Sequence, residues 1–158
     1  MAADGGPLCW VTKVRDELRT AKLRPTRQRL LIASLLFRTG DRHVTAEQLH
    51  HEATMLGAAV SLATVYNTLR QFSDAGMIRT IAVQATKSYF DTNTSDHHHF
   101  FVEGEGTLVD IPDGVVVTNV PAAPSGMRVT NVDVMVHLRA ERAPAKPASI
   151  TEAGRPHS

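Results

Sequence analysis

Three consecutive histidines, His97, His98 and His99, are the residues of this sequence best suited to chemistry. Side chains alternate between the two faces of an extended segment, so His97 and His99 are expected to point one way and His98 the other. Two imidazoles on one face make a bidentate nitrogen site. Nearby carboxylates that could join them are Asp91, Asp96 and Asp110.

These ligand types leave two kinds of centre open. Imidazole with carboxylate suits divalent iron, manganese or zinc, whereas imidazole alone suits haem iron as an axial ligand. A solvated polar loop that binds nothing is the third interpretation. Cys9 is the sole cysteine, so neither an intramolecular disulfide nor a Cys-rich structural zinc site can form. We expect surface exposure for His50 and His51 and a structural place for His137.

The stretch from Ser61 to Gly76 predicts a helix that could read DNA. Its apolar residues step by three and four, which places them on one helix face: Leu62, Val65, Leu69 and Phe72. Ser61 is suited to cap the start, and Gly76 stands where helices commonly end. The remaining surface carries side chains that hydrogen-bond or stack on bases and phosphates: Thr64, Tyr66, Asn67, Arg70 and Gln71.

The segments before and after this helix predict a winged helix-turn-helix. Residues 11–21 form a first helix, Pro25 opens a second, and Thr45 caps a third over residues 46–56. A short turn then leads into the recognition helix. Residues 77–91 follow as a β-hairpin, the wing.

Four regions are expected along the chain. Residues 1–10 are a flexible N-terminus, 11–91 a DNA-binding domain, 92–140 a sensing and dimerisation domain, and 141–158 a disordered tail with too little apolar content to pack. The third region shows β-type runs at 100–102, 107–111, 115–120 and 127–138. Their open edges favour pairing across a two-fold axis.

Charge is divided unevenly along the chain. Residues 11–42 hold nine basic and three acidic side chains, whereas residues 88–133 hold seven acidic and one basic. A basic half suits a polyanion, and an acidic half rich in histidine suits a cation. No signal peptide and no membrane-crossing run is recognisable. We therefore expect a cytoplasmic protein with no membrane partner.

Five motifs in order make the chain similar to the Fur family of metal-responsive repressors: LRPTRQR (23–29), HVTAEQL (43–49), VSLATVYNTL (60–69), YFDTNTSDHHH (89–99) and LVDI (108–111). Within that family it most resembles the iron response regulator branch, Irr. The resemblance implies an α+β fold, with an N-terminal winged helix-turn-helix followed by a small α/β dimerisation domain. It also implies a homodimer on double-stranded DNA with AT-rich, near-palindromic operators.

The resemblance also implies roles for particular residues. DNA contacts would come from Tyr66, Ser61, Thr64, Asn67, Arg70, Arg24 and Arg29. A regulatory Mn(II) or Fe(II) would be held by His43, Asp91, His97, His99 and Asp110. Haem would bind at His97, His98 and His99, as in Irr. The Cys-x-x-Cys pairs that hold zinc in many Fur proteins are missing, so structural zinc is not expected.

The predicted function is therefore an iron- and haem-responsive transcriptional regulator of iron and haem homeostasis that haem releases from DNA. One alternative is a repressor activated by Mn or Fe, of the Fur or PerR type. Two others belong to different classes: a small non-haem metalloenzyme, and a winged-helix interaction module without a ligand. The enzyme is disfavoured because the sequence offers no substrate cradle and no nucleophile near a base, so we expect no catalytic residues.

Overall fold

The computed structural model describes residues 7–84, 87–112 and 114–141. It contains both helices and strands, as the sequence predicts. The four helices are α1 (Pro7–Thr20), α2 (Arg27–Phe37), α3 (Ala46–Met55) and α4 (Leu62–Asp74). The six strands are β1 (His43–Val44), β2 (Arg79–Gln84), β3 (Lys87–Asp91), β4 (His99–Val102), β5 (Thr107–Asp110) and β6 (Met135–Leu138). No helix among the described residues is both long and apolar enough to cross a membrane.

Side-chain caps fix the starts of three helices. The hydroxyls of Thr26, Thr45 and Ser61 each accept a backbone N–H three residues later, which satisfies a donor that the first helical turn leaves unpaired. At α3 the cap is reciprocal, because the Gln48 side chain also accepts the backbone N–H of Thr45. The predicted caps at Thr45 and Ser61 are confirmed. The second helix begins after Thr26 rather than at Pro25.

One apolar core joins the four helices to the first strands. Its fully buried side chains include Leu18 of α1, Leu36 of α2, Leu49 of α3 and Phe72 of α4. The predicted inner face of α4 holds Val65, Leu69 and Phe72 inside, with Leu62 at its edge. Packing of α3 against α4 therefore fixes where the outer face of α4 points. This arrangement is the predicted helix-turn-helix.

The first sheet has the order β1-β3-β2, with antiparallel pairing throughout. Strands β2 and β3 form the predicted wing. The short strand β1 was not predicted. It pairs His43 with Asp91 and so ties the segment before α3 to the end of the wing.

The second sheet has the order β5-β4-β6, with β4 antiparallel to β5 and parallel to β6. Phe101 of β4 and Leu108 of β5 form a small core with Tyr89 of β3, separate from the first core. All regular secondary structure in residues 92–112 and 114–141 is β-strand. The chain is thus a winged helix-turn-helix followed by the smaller domain of the predicted fold.

Three further predictions for the bounds of helices and strands differ from the structure. Helix α1 begins at Pro7, so residues 7–10 are helical rather than part of a loose N-terminus. Residues 115–120 form no strand, and in the predicted strand at 127–138 only Met135–Leu138 pairs with a neighbour. Val116 is 85% exposed, and a run of β-prone residues makes no strand without a paired neighbour. Residues 1–6 of the predicted flexible N-terminus and residues 142–158 of the predicted tail lie outside the described part of the chain.

Candidate functional site

Five histidine and aspartate side chains converge where the two sheets meet. Each contributes one ligand atom, and the five atoms all lie within 4.8 Å of one another: those of His43, Asp91, His97, His99 and Asp110. His43 lies on β1, Asp91 ends β3, His97 precedes β4, His99 begins β4 and Asp110 ends β5. We call this group the five-residue cluster. It combines residues 43 and 91 of the winged helix with three residues from the smaller domain.

The distances within the cluster are those of ligand atoms around one centre. Oδ2 of Asp91 lies 2.9–3.4 Å from the Nε2 atoms of the three histidines. Oδ1 of Asp110 lies 2.9–3.5 Å from the same three atoms. With metal–ligand distances of about 2.1 Å, neighbouring ligand atoms are expected roughly 3–3.6 Å apart. The observed spacing therefore fits a single divalent ion.

Several of these atoms have no hydrogen bond of their own. Nε2 of His43, Nε2 of His97 and Oδ1 of Asp110 are buried, and none has a hydrogen-bond partner despite the short separations. Asp91 is fully buried, and an ionised carboxylate in that position requires compensation. A divalent cation would satisfy all of these atoms at once. The donor set of three nitrogens and two oxygens, with no sulfur, suits Fe(II) or Mn(II) and can also accept Zn(II).

The cluster shifts the protonation of its members. Burial raises the pKa of Asp91, but the neighbouring His43, the backbone N–H of Asn93 and His99 outweigh it and hold the pKa below its usual value. Burial lowers the pKa of His99, and the charges of His97 and His43 lower it further. Asp91 acts in the opposite direction but is outweighed, so the pKa of His99 lies below its usual value. Asp91 thus favours the carboxylate form and His99 the neutral form, which are the forms that bind metal.

The pKa of His43 is shifted in the opposite direction to that of His99. Burial lowers its pKa, but the carboxylates of Asp91 and Asp110 outweigh burial, so the net pKa is raised. In the metal-free protein His43 therefore retains a proton to higher pH than an ordinary histidine. That proton must leave before Nε2 can bind a cation.

The three adjacent histidines have different surroundings. Nδ1 of His97 donates to the carbonyl oxygen of Ser95 at 2.7 Å, which leaves its Nε2 facing Asp91 and Asp110. His98 points the other way, and its Nδ1 accepts the backbone N–H of Val134 at 3.3 Å. The predicted alternation of faces is thus present, and His98 contacts the segment before β6 instead of the cluster.

The outer face of α4 carries the residues predicted to read bases. Tyr66 is 41% exposed, and Asn67 and Arg70 beside it are also exposed. The Tyr66 hydroxyl donates to Oε1 of Glu47 on α3 at 2.6 Å, so α3 orients this ring. Glu47 was not among the predicted site residues. Its position in the first turn of α3, across from the recognition helix, was the available signal.

The remaining predicted DNA contacts lie around the start of α4. Ser61 and Thr64 bond to each other there as part of the helix cap. Arg24 is exposed just before α2. Arg29 is partly enclosed: its guanidinium donates to Oε1 of Gln71 on α4 and to the carbonyl oxygen of Arg24. Arg29 therefore joins α2 to the recognition helix.

Two other sequence expectations concern histidines outside the cluster. His50 is half-buried rather than exposed, because its Nε2 donates to the carbonyl oxygen of Val60 at 3.0 Å and so ties α3 to the turn before α4. His51 is exposed, as predicted. His137 lies on β6, where Nδ1 is 3.3 Å from Oε1 of Glu103.

Comparison with known sequences gives one family. A profile of the ferric uptake regulator family, FUR, matches residues 20–137. The chain is 34% identical over 124 residues to the ferric uptake regulation protein of Shigella flexneri, covering 77% of this chain and 84% of that protein. The corresponding protein of Escherichia coli strain K12 is 33% identical with the same coverage.

Solved structures give the same fold. The ferric uptake regulator of Vibrio cholerae superposes with a TM-score of 0.64 at 25% identity, covering 80% of this chain and 98% of that one. The ferric uptake regulator of Pseudomonas aeruginosa, solved with manganese, gives a TM-score of 0.62 at 23% identity, covering 82% and 98% of the two chains. These matches extend through both domains.

Proposed function

The chain belongs to the ferric uptake regulator family, and from this premise we propose that it is a dimeric transcriptional regulator whose binding to operator DNA requires a divalent metal at the five-residue cluster. Members of this family are transcription regulators rather than enzymes. The observation that carries the proposal is the convergence of five nitrogen and oxygen atoms, three of them buried and unpaired, between the DNA-binding unit and the smaller domain.

The chain's own residues explain how metal would affect DNA binding. His43 and Asp91 belong to the winged helix, whereas His97, His99 and Asp110 belong to the smaller domain. A bound cation would supply the positive charge that the two carboxylates and three imidazoles share. With that charge present, the cluster would hold β1, the end of β3, the start of β4 and the end of β5 at fixed separations. The position of α4 in one subunit relative to its partner would then be fixed, as two half-sites on DNA require.

DNA recognition is assigned to the outer face of α4. Tyr66, Asn67 and Arg70 would reach base edges in the major groove, with Ser61 and Thr64 at the start of the helix. Arg24 would contact the phosphate backbone, and Arg29 would hold α2 against α4. The proposed partner is double-stranded DNA that carries an AT-rich, near-palindromic operator. The proposed location of the protein is the cytoplasm.

Fe(II) and Mn(II) are the metals best suited to this donor set. A structural zinc site built from cysteines is not proposed, because Cys9 is the sole cysteine. Zn(II) could still compete for the cluster, so each metal needs a separate titration.

A second candidate function is the haem response of the Irr branch, and it rests on the sequence triplet His97, His98 and His99. Haem binding there would require these side chains to move, since those of His97 and His99 are 11% and 4% exposed and face Asp91. Haem ligation by either histidine would therefore displace it from the five-residue cluster. On this account haem and metal compete, and haem acts by removing the metal-bound state.

The test is a gel shift on a duplex that the metal-loaded protein selects from a random library. Mn(II) and haemin are titrated separately, with the wild type beside a variant in which His97, His98 and His99 are alanine. We expect Mn(II) to promote binding by the wild type only. Release by haemin that depends on the triplet would add the Irr response. DNA binding that is the same with and without Mn(II) and haemin would overturn the metal-dependent function.

A further inference from the structure

We propose that Arg42 is the positioning residue that transmits the state of the five-residue cluster to the helix-turn-helix, an inference that rests on the proposed function. Arg42 directly precedes His43 in the chain. It belongs neither to the cluster nor to the outer face of α4. Its contacts reach three other segments of the protein: the residue after β3, the last turn of α2, and α3.

The backbone of Arg42 is fixed to the segment after the second winged-helix ligand. Its N–H donates to the hydroxyl of Thr92 at 2.8 Å, and its carbonyl oxygen accepts the Thr92 N–H at 3.1 Å. Thr92 directly follows Asp91. Arg42 and Thr92 thus extend the pairing of His43 with Asp91 by one residue, so a change in that pair's separation must displace Arg42 as well.

The guanidinium of Arg42 reaches the helices on the other side. It forms a two-pronged ion pair with Glu52 of α3, with Nη2–Oε1 and Nη1–Oε2 distances of 2.5 and 3.1 Å. This geometry is directional and stronger than a single-point pair. Nη1 also donates to the carbonyl oxygen of Leu35 in the last turn of α2, where helix carbonyls lack an intrahelical donor.

Helix α3 is therefore attached to the cluster at two points. At its start, β1 runs directly into the cap residue Thr45. Near its end, Glu52 is held through Arg42. One attachment can transmit a translation, whereas two attachments about two helical turns apart also transmit a rotation of the helix.

Rotation of α3 would displace the recognition helix α4, which α3 contacts directly. Glu47 of α3 accepts the Tyr66 hydroxyl, and His50 of α3 donates to the Val60 carbonyl just before α4. Leu49 and Ala53 of α3 share the apolar core with Val65 and Leu69 of α4. The path from cluster to DNA-facing surface thus consists of direct contacts, with Arg42 at its first junction.

The experiment measures the affinity for the selected duplex by fluorescence anisotropy, with saturating Mn(II) and with a chelator, and takes the ratio of the two affinities. Such allosteric ratios are typically about 5–150-fold. The variants are Arg42→Ala and Glu52→Gln, with Arg139→Ala as the matched control. Arg139 also forms an arginine–glutamate ion pair, with two donors on Oε2 of Glu103, away from the path. Mn(II) affinity and the thermal unfolding midpoint are measured for every variant.

We expect both variants to bind Mn(II) and to bind the duplex weakly without metal, as the wild type does, while the ratio falls toward one. The exchanged pair Arg42→Glu with Glu52→Arg should recover part of the ratio, which a merely destabilising change would not. Glu52→Gln keeps the test open if Arg42→Ala fails to fold. A wild-type ratio in folded Arg42→Ala or Glu52→Gln overturns the role of Arg42 alone. A ratio of one in the wild type overturns the proposed function together with this inference.

Discussion

His43 and Asp91 lie directly opposite each other in the β1–β3 ladder, with Nε2 of His43 3.4 Å from Oδ2 of Asp91. Each belongs to the winged helix, yet both side chains point toward the histidines and aspartate of the smaller domain. The geometry places His43 among the residues that could hold a metal ion, a place that the histidine triplet alone would not reveal. It also separates the two proposed centres, because His43 belongs to the metal cluster and not to the triplet.

The first prediction compares His43→Ala with His98→Ala. Loss of Nε2 from His43 removes one of five converging atoms, so Mn(II) affinity should fall by more than the roughly 10–100-fold expected for loss of an outer-shell partner. His98 faces Val134, so His98→Ala should bind Mn(II) nearly as the wild type does. Isothermal titration calorimetry measures both. Equal losses in the two variants would contradict the assignment of ligands.

The second prediction concerns pH. The Asp91 and Asp110 carboxylates outweigh burial and raise the pKa of His43, so its proton competes with the metal to a higher pH than for an ordinary histidine. Mn(II) affinity should therefore fall steadily between about pH 8 and pH 6, around the usual histidine range. Calorimetry in buffers of different ionisation enthalpy should show proton release on binding. An Mn(II) affinity that does not change with pH, without proton release, would contradict metal binding at the five-residue cluster.

The pKa shifts of His43 and Asp91 also make the stability of the metal-free protein depend on pH. A histidine whose folded pKa is raised stabilises the folded state below its unfolded pKa, and that contribution disappears as pH rises through the folded pKa. For Asp91, whose pKa is lowered, the contribution is present above the unfolded value and disappears in acid. Asp91→Asn should therefore flatten the acid side of the stability curve of the metal-free protein, as followed by urea unfolding. An unchanged acid limb would show that Asp91 is not the group responsible.

The third prediction separates base reading from phosphate contact. Tyr66→Ala should weaken binding to the selected duplex while leaving binding to random DNA nearly unchanged, because base contacts carry the sequence information. Arg24→Ala should weaken both and reduce the salt dependence by about one phosphate contact. Anisotropy titrations at several salt concentrations distinguish the two patterns. If Tyr66→Ala affects both duplexes equally, the outer face of α4 is not the reading surface.

The fourth prediction concerns the start of α3, which carries β1 into the helix-turn-helix. Thr45→Ala removes the hydroxyl that caps α3 and should lower the free energy of unfolding by about 0.5–2 kcal/mol. Thr54→Ala in the same helix is the matched control, since its hydroxyl bonds only to the carbonyl of its own helix at His50. Urea unfolding of the metal-free protein compares the two. A larger loss for Thr54→Ala would reverse the expected order.

How far the sequence predicts the fold depends on how local each signal is. Ser61 and Gly76 delimit α4 with their own chemistry, and Gly76 has the left-handed backbone, φ +71°, that ends such helices. Strand β1 could not be predicted in this way, because two residues carry no period and their partners are almost fifty residues later. The valines at 115–120 are β-prone residues but have no paired neighbour, so β propensity alone overestimates the sheet.

The candidate site follows the same division. Alternation along an extended chain is enough to place His97 and His99 together and His98 apart, as the structure shows. The membership of His43 came from resemblance, and Asp110 was only one of three candidate carboxylates beside Asp91 and Asp96, since only the tertiary fold brings β1 and β5 to the same point. The contact of Glu47 with Tyr66 and the contacts of Arg42 with Thr92 and Glu52 join residues of different elements, and neither position in the sequence identifies the partner.

The most direct test of a cluster that links metal to DNA is the Mn(II) affinity of the free protein compared with that of the protein saturated with its selected duplex. Coupling between two sites is reciprocal, so DNA must tighten Mn(II) binding by the same factor by which Mn(II) tightens DNA binding. We predict a tighter Mn(II) affinity in the DNA complex, and loss of that difference when His43 is alanine. Equal Mn(II) affinities with and without DNA would show that the cluster does not control operator binding.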